Sequence, residues 1–301
     1  MDRERHTVGT ARFAFIGFIL ASGEWTGEAA AAKIEDNSFL IEEAYNQEPG
    51  VIQHIQAFQY LPRSSEWAYS FTEEWPVPTD RHQLSVTLPF LDNGVSGAGL
   101  GDVLVNYRFQ AIGEGGEGQV AFAPRLSAVL PSGDYAAGHG HGGFGAQANL
   151  PLSLDLHRWF TVHANAGATY TPRAKFPGRD ANDVLDWFGG ASAIWTPHDQ
   201  FNVMLEGLYA SIEEAGSGLP RHPARSFTLN PGVRGALNFE AGGLQVVPGV
   251  SAPVVFSAGE TDAGVLVYLS FEHRLWGEQA GRLNVPSRVR KSRSPHRYPS
   301  S

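Results

Sequence analysis

Ten charged or imidazole-bearing side chains occupy the polar positions of strand-like runs, and they carry most of the chemistry that this chain offers. If the apolar neighbours face lipid, these ten point into a shared interior, where they could bind a solute, set the selectivity of a channel or form structural ion pairs. Both signs of charge are present, so no ion selectivity is predicted. The ten residues are Asp102, Arg108, Arg125, Asp155, His163, Asp186, Glu206, Arg234, Glu272 and Arg274.

Two of these residues, Arg108 and Arg125, are predicted to lie on neighbouring strands. Like charges at that spacing repel each other unless an opposite charge lies between them. The sequence therefore predicts that an acid such as Asp102, or a bound anion, neutralises this pair.

Catalytic motifs are scarce. A membrane-embedded hydrolase needs a serine nucleophile within hydrogen-bond reach of a histidine base. No histidine begins a His-x-Ser pair, and His163 shares a strand face with Asn165 but with no serine at the same spacing. We predict no enzyme activity and no catalytic residues, with a membrane-embedded hydrolase as the second alternative.

Metal and cofactor motifs are equally poor. His139-Gly140-His141 offers two imidazoles near Asp134, and imidazole suits zinc, copper or nickel, but two ligands on a glycine loop make a weak site. The glycine-rich stretch 113–118 carries two carboxylates and opens no helix, so it is not a phosphate cradle. The chain has no cysteine. No metal and no cofactor are predicted.

Apolar residues at every second position predict the strands that hold these side chains. In the run that begins at Trp67, the side chains of Trp67, Tyr69 and Phe71 alternate with small or polar ones. A period of two indicates a strand with one apolar and one polar face. The runs are roughly 10 to 14 residues long, near the length that a tilted strand needs to cross a bilayer. They lie near 51–60, 67–77, 84–90, 103–109, 119–130, 143–155, 160–170, 184–195, 201–209, 226–238, 244–256 and 264–276.

The connections between these runs alternate in length. Short ones lie at 78–81, 113–118, 156–158, 197–199 and 240–243, and longer ones at 61–65, 91–99, 131–142, 171–182, 213–224 and 257–263. Outer-membrane barrels have short periplasmic turns, longer external loops and an even number of strands. The sequence thus predicts an all-β fold, a transmembrane antiparallel up-and-down β-barrel of about 12 strands with both ends in the periplasm.

One barrel domain is predicted over residues 51–276, because no Pro- or Ser-rich linker divides them. Arginines, an apolar stretch and then small residues over 1–32 predict a secretory signal peptide, and hence the outer membrane of a Gram-negative-type bacterium. Residues 277–301 are basic, and we predict a disordered tail that binds no nucleic acid.

Residues 33–50 precede the first strand, and we predict that they either lie in the periplasm or plug the lumen. Asn37 or Ser38 is placed to cap a short helix through Ala44, before Pro49 and Gly50. An extended segment is the alternative to this helix.

The same stretch, Ile34 to Gly50 with its continuation VIQHI, resembles the start of the outer-membrane transporter family named for its link to a meta-pathway of phenol degradation. The resemblance extends to Leu130–Asp134 and to the closing run Tyr268–His273, and it covers most of residues 34–275. It implies a barrel that moves small organic molecules, and it supplies no catalytic residues.

The predicted function is a channel or transporter through which small molecules, aromatic or hydrophobic ones among them, pass without a cofactor or energy source. Its expected partners are outer-membrane lipid, small-molecule solutes and the barrel-assembly machinery, and its oligomeric state stays open. The first alternative is a structural or interaction barrel with a closed lumen, whose external loops at 131–142, 171–182 and 213–224 make the useful contacts.

Overall fold

The structure is a computed structural model, which describes residues 34, 36–113, 119–178, 180–213, 223–239 and 244–275. The predicted signal peptide and the predicted basic tail lie outside this part of the chain. In the ranges just given, no helix is present, and so none is long and apolar enough to cross a membrane.

Within the described ranges, eighteen strands form one antiparallel sheet. They are β1 (Val51–Leu61), β2 (Glu66–Pro76), β3 (His82–Asp92), β4 (Ala98–Leu100), β5 (Val103–Phe109), β6 (Val120–Phe122), β7 (Arg125–Leu130), β8 (Gly145–Asn149), β9 (Leu152–His157), β10 (Phe160–Ala174), β11 (Asn182–His198), β12 (Phe201–Ile212), β13 (Ala224–Gly235), β14 (Leu237–Phe239), β15 (Leu244–Ser251), β16 (Val254–Ser257), β17 (Glu260–Ala263) and β18 (Val265–Arg274).

These segments make up twelve barrel strands, as predicted, because six barrel strands are each interrupted once. The interrupted ones consist of β4 with β5, β6 with β7, β8 with β9, β13 with β14, β15 with β16 and β17 with β18. Three of the interruptions contain Pro124, Pro151 and Pro253. Proline has no N–H to donate to the ladder, so the pairing breaks at these points while the chain direction continues.

The barrel closes where β18 pairs with β1, from Val51 opposite Arg274 to Tyr60 opposite Val265. Closure leaves no sheet edge with unpaired N–H and C=O groups. We name the two ends by their connections. The short-turn end carries the first residue of β1 and the last of β18, and the long-loop end carries the loops that were predicted to be external.

Buried and exposed side chains alternate along the strands, as expected for a membrane barrel. On β12, Asn202, Met204 and Glu206 are buried, whereas Phe201 and Leu205 are exposed. The exposed face is therefore mostly apolar and the buried face mostly polar, the reverse of a soluble protein. This arrangement is typical of a transmembrane barrel with a polar interior.

One predicted loop is wrong. The stretch 257–263 was expected to be a longer connection, but β16 and β17 stay paired as far as Ser257 and Glu260, so the turn contains only Ala258 and Gly259. Both turn residues have positive φ, 48° and 83°, which suits a two-residue hairpin. Thr261 and Asp262 interrupt the apolar alternation here, so the pattern missed a hairpin whose residues still pair.

The short helix predicted within residues 33–50 is also wrong, because the described residues of this stretch are irregular. The backbone N–H groups of Leu40 and Ala44 are donated to side chains of the barrel wall, not to carbonyls four residues earlier. Asn37 Oδ1 accepts from the backbone N–H of Glu43, too far along the chain for a helix cap.

The outward face generates a stability prediction. Leu205 lies on β12 with 49% of its surface exposed, and an arginine there would place a charge in hydrocarbon. We expect Leu205→Arg to lower the free energy of unfolding by about 2–4 kcal/mol, measured by denaturant titration of the protein folded into lipid vesicles.

The matched control is Val95→Arg, since Val95 lies in a loop with 90% of its surface exposed. This variant should unfold at the wild-type denaturant concentration. Equal destabilisation by both variants would contradict the assignment of the outward face to lipid.

Candidate functional site

The candidate site is the barrel interior, where residues 36–47 lie against the buried side chains of the wall. We call this stretch the inner segment. Its hydrogen-bond partners come from β1, β3, β5, β9, β10, β11, β12, β13 and β18, and nearly all of them lie in the part of the strand nearer the short-turn end. The segment therefore crosses the interior near one mouth of the barrel.

Side chains of the wall satisfy the segment's backbone N–H groups. Glu206 accepts hydrogen bonds from the backbone N–H groups of Leu40 and Ile41, at 2.8 and 3.2 Å. Asn165 accepts from Glu42 N–H at 2.8 Å and donates to Glu42 C=O at 2.9 Å. Each such bond contributes about 1 kcal/mol net, and more where the acceptor is charged. The irregular backbone is thus stabilised by the barrel and not by secondary structure of its own.

Two arginines hold the two ends of the segment by its carbonyl groups. Arg234 donates to the backbone oxygens of Asp36 and Asn37. At the other end, Arg108 donates to the backbone oxygens of Glu43 and Tyr45. A guanidinium presents several donors in a fixed plane, which suits it to bind adjacent carbonyls.

An apolar contact fixes the middle of the segment. The Phe39 ring packs with Ile194 and Met204 and meets Tyr268 edge to face, with ring centroids 5.5 Å apart. A Cβ on Gly249 would lie 2.5 Å from Phe39 Cε1, so the wall approaches this ring more closely than any larger residue allows.

Asp36 is the most deeply placed carboxyl group of the segment. It accepts hydrogen bonds from Tyr268 Oη at 2.7 Å, from Gln53 Nε2 at 2.9 Å and from Ser270 Oγ. Burial raises the pKa of Asp36, and the nearby Arg234 guanidinium opposes this shift.

The structure brings together a serine and a histidine that the sequence pattern missed. Ser153 on β9 lies opposite His163 on β10, and Ser153 Oγ is 2.7 Å from His163 Nδ1. Ser153 Oγ also accepts the backbone N–H of Ala44, and both side chains are buried beneath the segment. Asn165 also bonds the segment backbone, so these three residues attach the segment to the wall.

At the long-loop end, two of the predicted residues hold loops. Asp102 accepts the backbone N–H groups of Gly133 and His141, at 2.9 and 2.8 Å. Asp186 accepts Glu213 N–H at 2.8 Å and lies 3.8 Å from His141 Nε2. The loop after β7 is thereby tied to the barrel interior.

The two imidazoles of the His-Gly-His motif do not converge. His139 Nε2 contacts Gly97 O at 2.8 Å, whereas His141 lies beside Asp186 and meets Phe176 edge to face. Within the described ranges, no group of three or more histidine and acidic side chains is arranged to hold a metal ion.

The acid that neutralises Arg108 and Arg125 was predicted to be one such as Asp102, and the structure corrects this. Arg125 Nη2 pairs with Glu42 of the inner segment at 2.7 Å, and Arg108 lies 3.8 Å from Glu74. The sequence pattern favoured Asp102 because it precedes β5, the strand that carries Arg108. In the structure, however, Asp102 and Arg108 lie toward opposite ends of β5.

Most of the ten predicted residues therefore have structural partners. Five contact the inner segment directly, and they are Arg108, Arg125, Asp155 through Tyr45 Oη, Glu206 and Arg234. His163 supports it through Ser153, Glu272 is partly buried on β18, and Arg274 is exposed at the rim, where it pairs with Glu48. Contact of any of these with a solute remains a prediction.

Five uncharged polar residues and Arg125 form a polar belt, and the sequence analysis identified only Arg125 among them. Thr72, Thr87, Asn106, Arg125, Gln147 and Thr169 are joined by successive side-chain hydrogen bonds of 2.8 to 3.2 Å. They span the neighbouring strands from β2 to β10. On β10, Thr169 lies nearer the long-loop end than Asn165, so the belt passes the segment on that side. The signal that could have revealed this belt is the presence of polar residues at the inward-facing positions of neighbouring strands.

The chain matches no family model and no curated protein sequence. Its fold is similar to that of solved outer-membrane proteins. An outer membrane channel from Pseudomonas putida F1 aligns with a TM-score of 0.53 at 11% identity, over 81% of this chain and 100% of that one. The NanC porin aligns with a TM-score of 0.47 at 10% identity, over 74% and 100%. The first of these similarities supports the barrel fold.

The attachment of the segment generates a prediction about Glu206. The chain has no cysteine, so Ser38→Cys introduces a single thiol at a buried position of the inner segment. Adding Glu206→Ala removes the acceptor of two backbone N–H groups. We expect a water-soluble maleimide to label this thiol at least about tenfold faster, because losing two hydrogen bonds of about 1 kcal/mol each exceeds the roughly 1.4 kcal/mol that a tenfold change requires.

The control adds Glu260→Ala to the same Ser38→Cys background, since Glu260 is an exposed carboxylate in the β16–β17 hairpin. Its labelling rate should equal that of Ser38→Cys alone. Equal rates in the Glu206→Ala and Glu260→Ala proteins would show that Glu206 does not hold the segment.

Proposed function

We propose that this chain forms a channel in the outer membrane of a Gram-negative-type bacterium for the passive passage of small molecules, aromatic or hydrophobic ones among them. No catalytic step and no cofactor are part of the proposal. The observation that carries it is a closed twelve-stranded barrel with an apolar outer face and a polar inner face.

The inner segment supplies the second part of the proposal, which is that residues 36–47 close the lumen until they are displaced. Their contacts run across the interior from Arg234 on β13 to Arg108 on β5. Phe39 fills part of the interior against an apolar cluster of the wall, and Ile41 is also buried. An interior crossed in this way has less room for a solute at the short-turn end.

Polar contacts supply much of the attachment, which favours displacement. The segment's backbone depends on side-chain partners such as Glu206, Asn165 and Ser153, each worth about 1 kcal/mol net. Water can replace such partners once the segment moves. The barrel ladder does not include the segment, so the wall stays closed when it leaves.

A second candidate function follows from the same contacts. A segment that never leaves would make this a structural barrel with a closed lumen, whose loops make the useful contacts. The loop after β7, from which Asp102 accepts two backbone N–H groups, is a candidate surface for such a role.

A disulfide that locks the segment distinguishes the two functions. Ser38 Oγ lies 2.8 Å from Ser192 Oγ on β11, and the chain has no other thiol to compete. In the Ser38→Cys/Ser192→Cys protein we expect oxidation to suppress single-channel current across a planar bilayer. Reduction should restore it, because the segment can then leave the lumen.

The single variants Ser38→Cys and Ser192→Cys serve as controls and should conduct alike with and without reductant. Equal current from the oxidised and reduced double variant would refute closure by the segment. Silence of the wild type and of the reduced double variant under all voltages would favour the structural barrel.

A further inference from the structure

We infer that Arg125 is the recognition site for the carboxylate of small organic acids, and that Glu42 of the inner segment occupies this site in their absence. The inference deepens the proposed function and rests on it, because it names the class of solute that the lumen favours. Arg125 and Glu42 come from separate parts of the chain, a wall strand and the inner segment, and meet at 2.7 Å.

The guanidinium of Arg125 is held in one orientation by neutral partners. Its Nη1 donates to Asn106 Oδ1 at 2.8 Å and its Nη2 donates to Gln147 Oε1 at 2.9 Å. Both partners belong to the polar belt. Asn106 is itself hydrogen-bonded to Thr87 and Gln147 to Thr169, so both amide side chains are held in place. A donor that its neighbours hold in place loses less entropy when it binds an anion.

Glu42 contacts this guanidinium through only one of its two carboxylate oxygens. Only its Oε1 reaches Arg125, so Oε2 of Glu42 and Nε of Arg125 are buried without a hydrogen-bond partner among the described residues. Arginine and a carboxylate prefer two parallel hydrogen bonds. A free carboxylate is not tied to the segment backbone, and it can take both Nε and Nη2.

A further donor lies beside the same site. Ser127 is on the same strand as Arg125 and lies opposite both Asn106 and Gln147. It is 5% exposed, and its hydroxyl has no partner within the described part of the chain. A buried polar group without a partner is costly, so the site is better satisfied when a ligand supplies one.

The charge balance requires an anion whenever the segment leaves. Arg108 keeps its contact with Glu74 on β2, but Arg125 loses Glu42 and retains only amide partners among its described contacts. Arg125 is 12% exposed, and an unpaired guanidinium at such a position is unfavourable. A solute carboxylate that replaces Glu42 removes this cost, and so favours the displaced segment.

The test is equilibrium dialysis of radiolabelled benzoate, with the full chain in detergent micelles. Benzamide is its neutral isostere and serves as the control ligand. We expect Glu42→Gln to bind benzoate at least tenfold more tightly than the wild type, because the internal competitor is gone. Arg125→Gln, alone or combined with Glu42→Gln, should lose benzoate binding, and Arg125→Lys should lose most of it because lysine lacks the planar pair of donors.

The matched variant is Glu48→Gln, which removes an exposed carboxylate that pairs with Arg274 at the rim. It should bind benzoate like the wild type, and none of the four single substitutions should alter benzamide binding. Equal benzoate affinity of the wild type and Glu42→Gln, or retained binding by Arg125→Gln, would overturn the inference.

Dialysis measures binding and not transport, so failure of the carboxylate site can be distinguished from failure of the proposed channel function. Current from the reduced Ser38→Cys/Ser192→Cys protein with no benzoate binding by Glu42→Gln would overturn the carboxylate site alone. Benzoate binding that Arg125→Gln abolishes, in a protein that never conducts, would support the site and refute the channel.

Discussion

A chain that crosses hydrocarbon must satisfy every backbone N–H and C=O from within itself, and in a β-structure only a closed ladder does so. The pairing of β18 with β1 is therefore the interaction on which the rest of this structure depends. Because that pairing closes the sheet, alternate side chains must point inward, and the polar residues that a soluble core excludes collect there. Every contact described for the interior follows from this arrangement.

The same requirement extends to the chain inside the barrel. The inner segment has no regular structure, so its backbone groups would be buried without partners if the wall were apolar. Inward carboxylates, amides and guanidinium groups supply those partners, with Glu206 and Arg234 as the most deeply buried examples. The inward charges are thus largely engaged in holding a short stretch of the chain, and the anionic partner of Arg125 belongs to that stretch.

Sequence periodicity was enough to predict the barrel and its twelve strands, because a side-chain period of two survives local breaks such as Pro151. It failed at the β16–β17 hairpin, where Thr261 and Asp262 pair without the apolar pattern that marks a lipid-facing strand. The helix cap predicted at Asn37 or Ser38 was also wrong, since capping residues and turn residues are chemically alike.

The interior contacts could not be predicted in the same way, because they join residues far apart in the chain. Parity identified Glu206 and Arg108 as inward, but nothing in their spacing showed that both bind residues 36–47. The pair of Ser153 and His163 depends on strand register across a turn, so a search along one strand could not find it. The acid beside Arg125 was missed for the same reason, since Glu42 precedes the barrel altogether.

The central claim is that residues 36–47 occupy the interior of a membrane barrel, and amide hydrogen exchange of the lipid-embedded protein tests it most directly. The backbone N–H groups of Leu40, Ile41 and Ala44 have no secondary structure to protect them, so only the wall can slow their exchange. We expect exchange nearly as slow as that of the β12 amides beside them. Exchange at the rate of an unstructured peptide would contradict it.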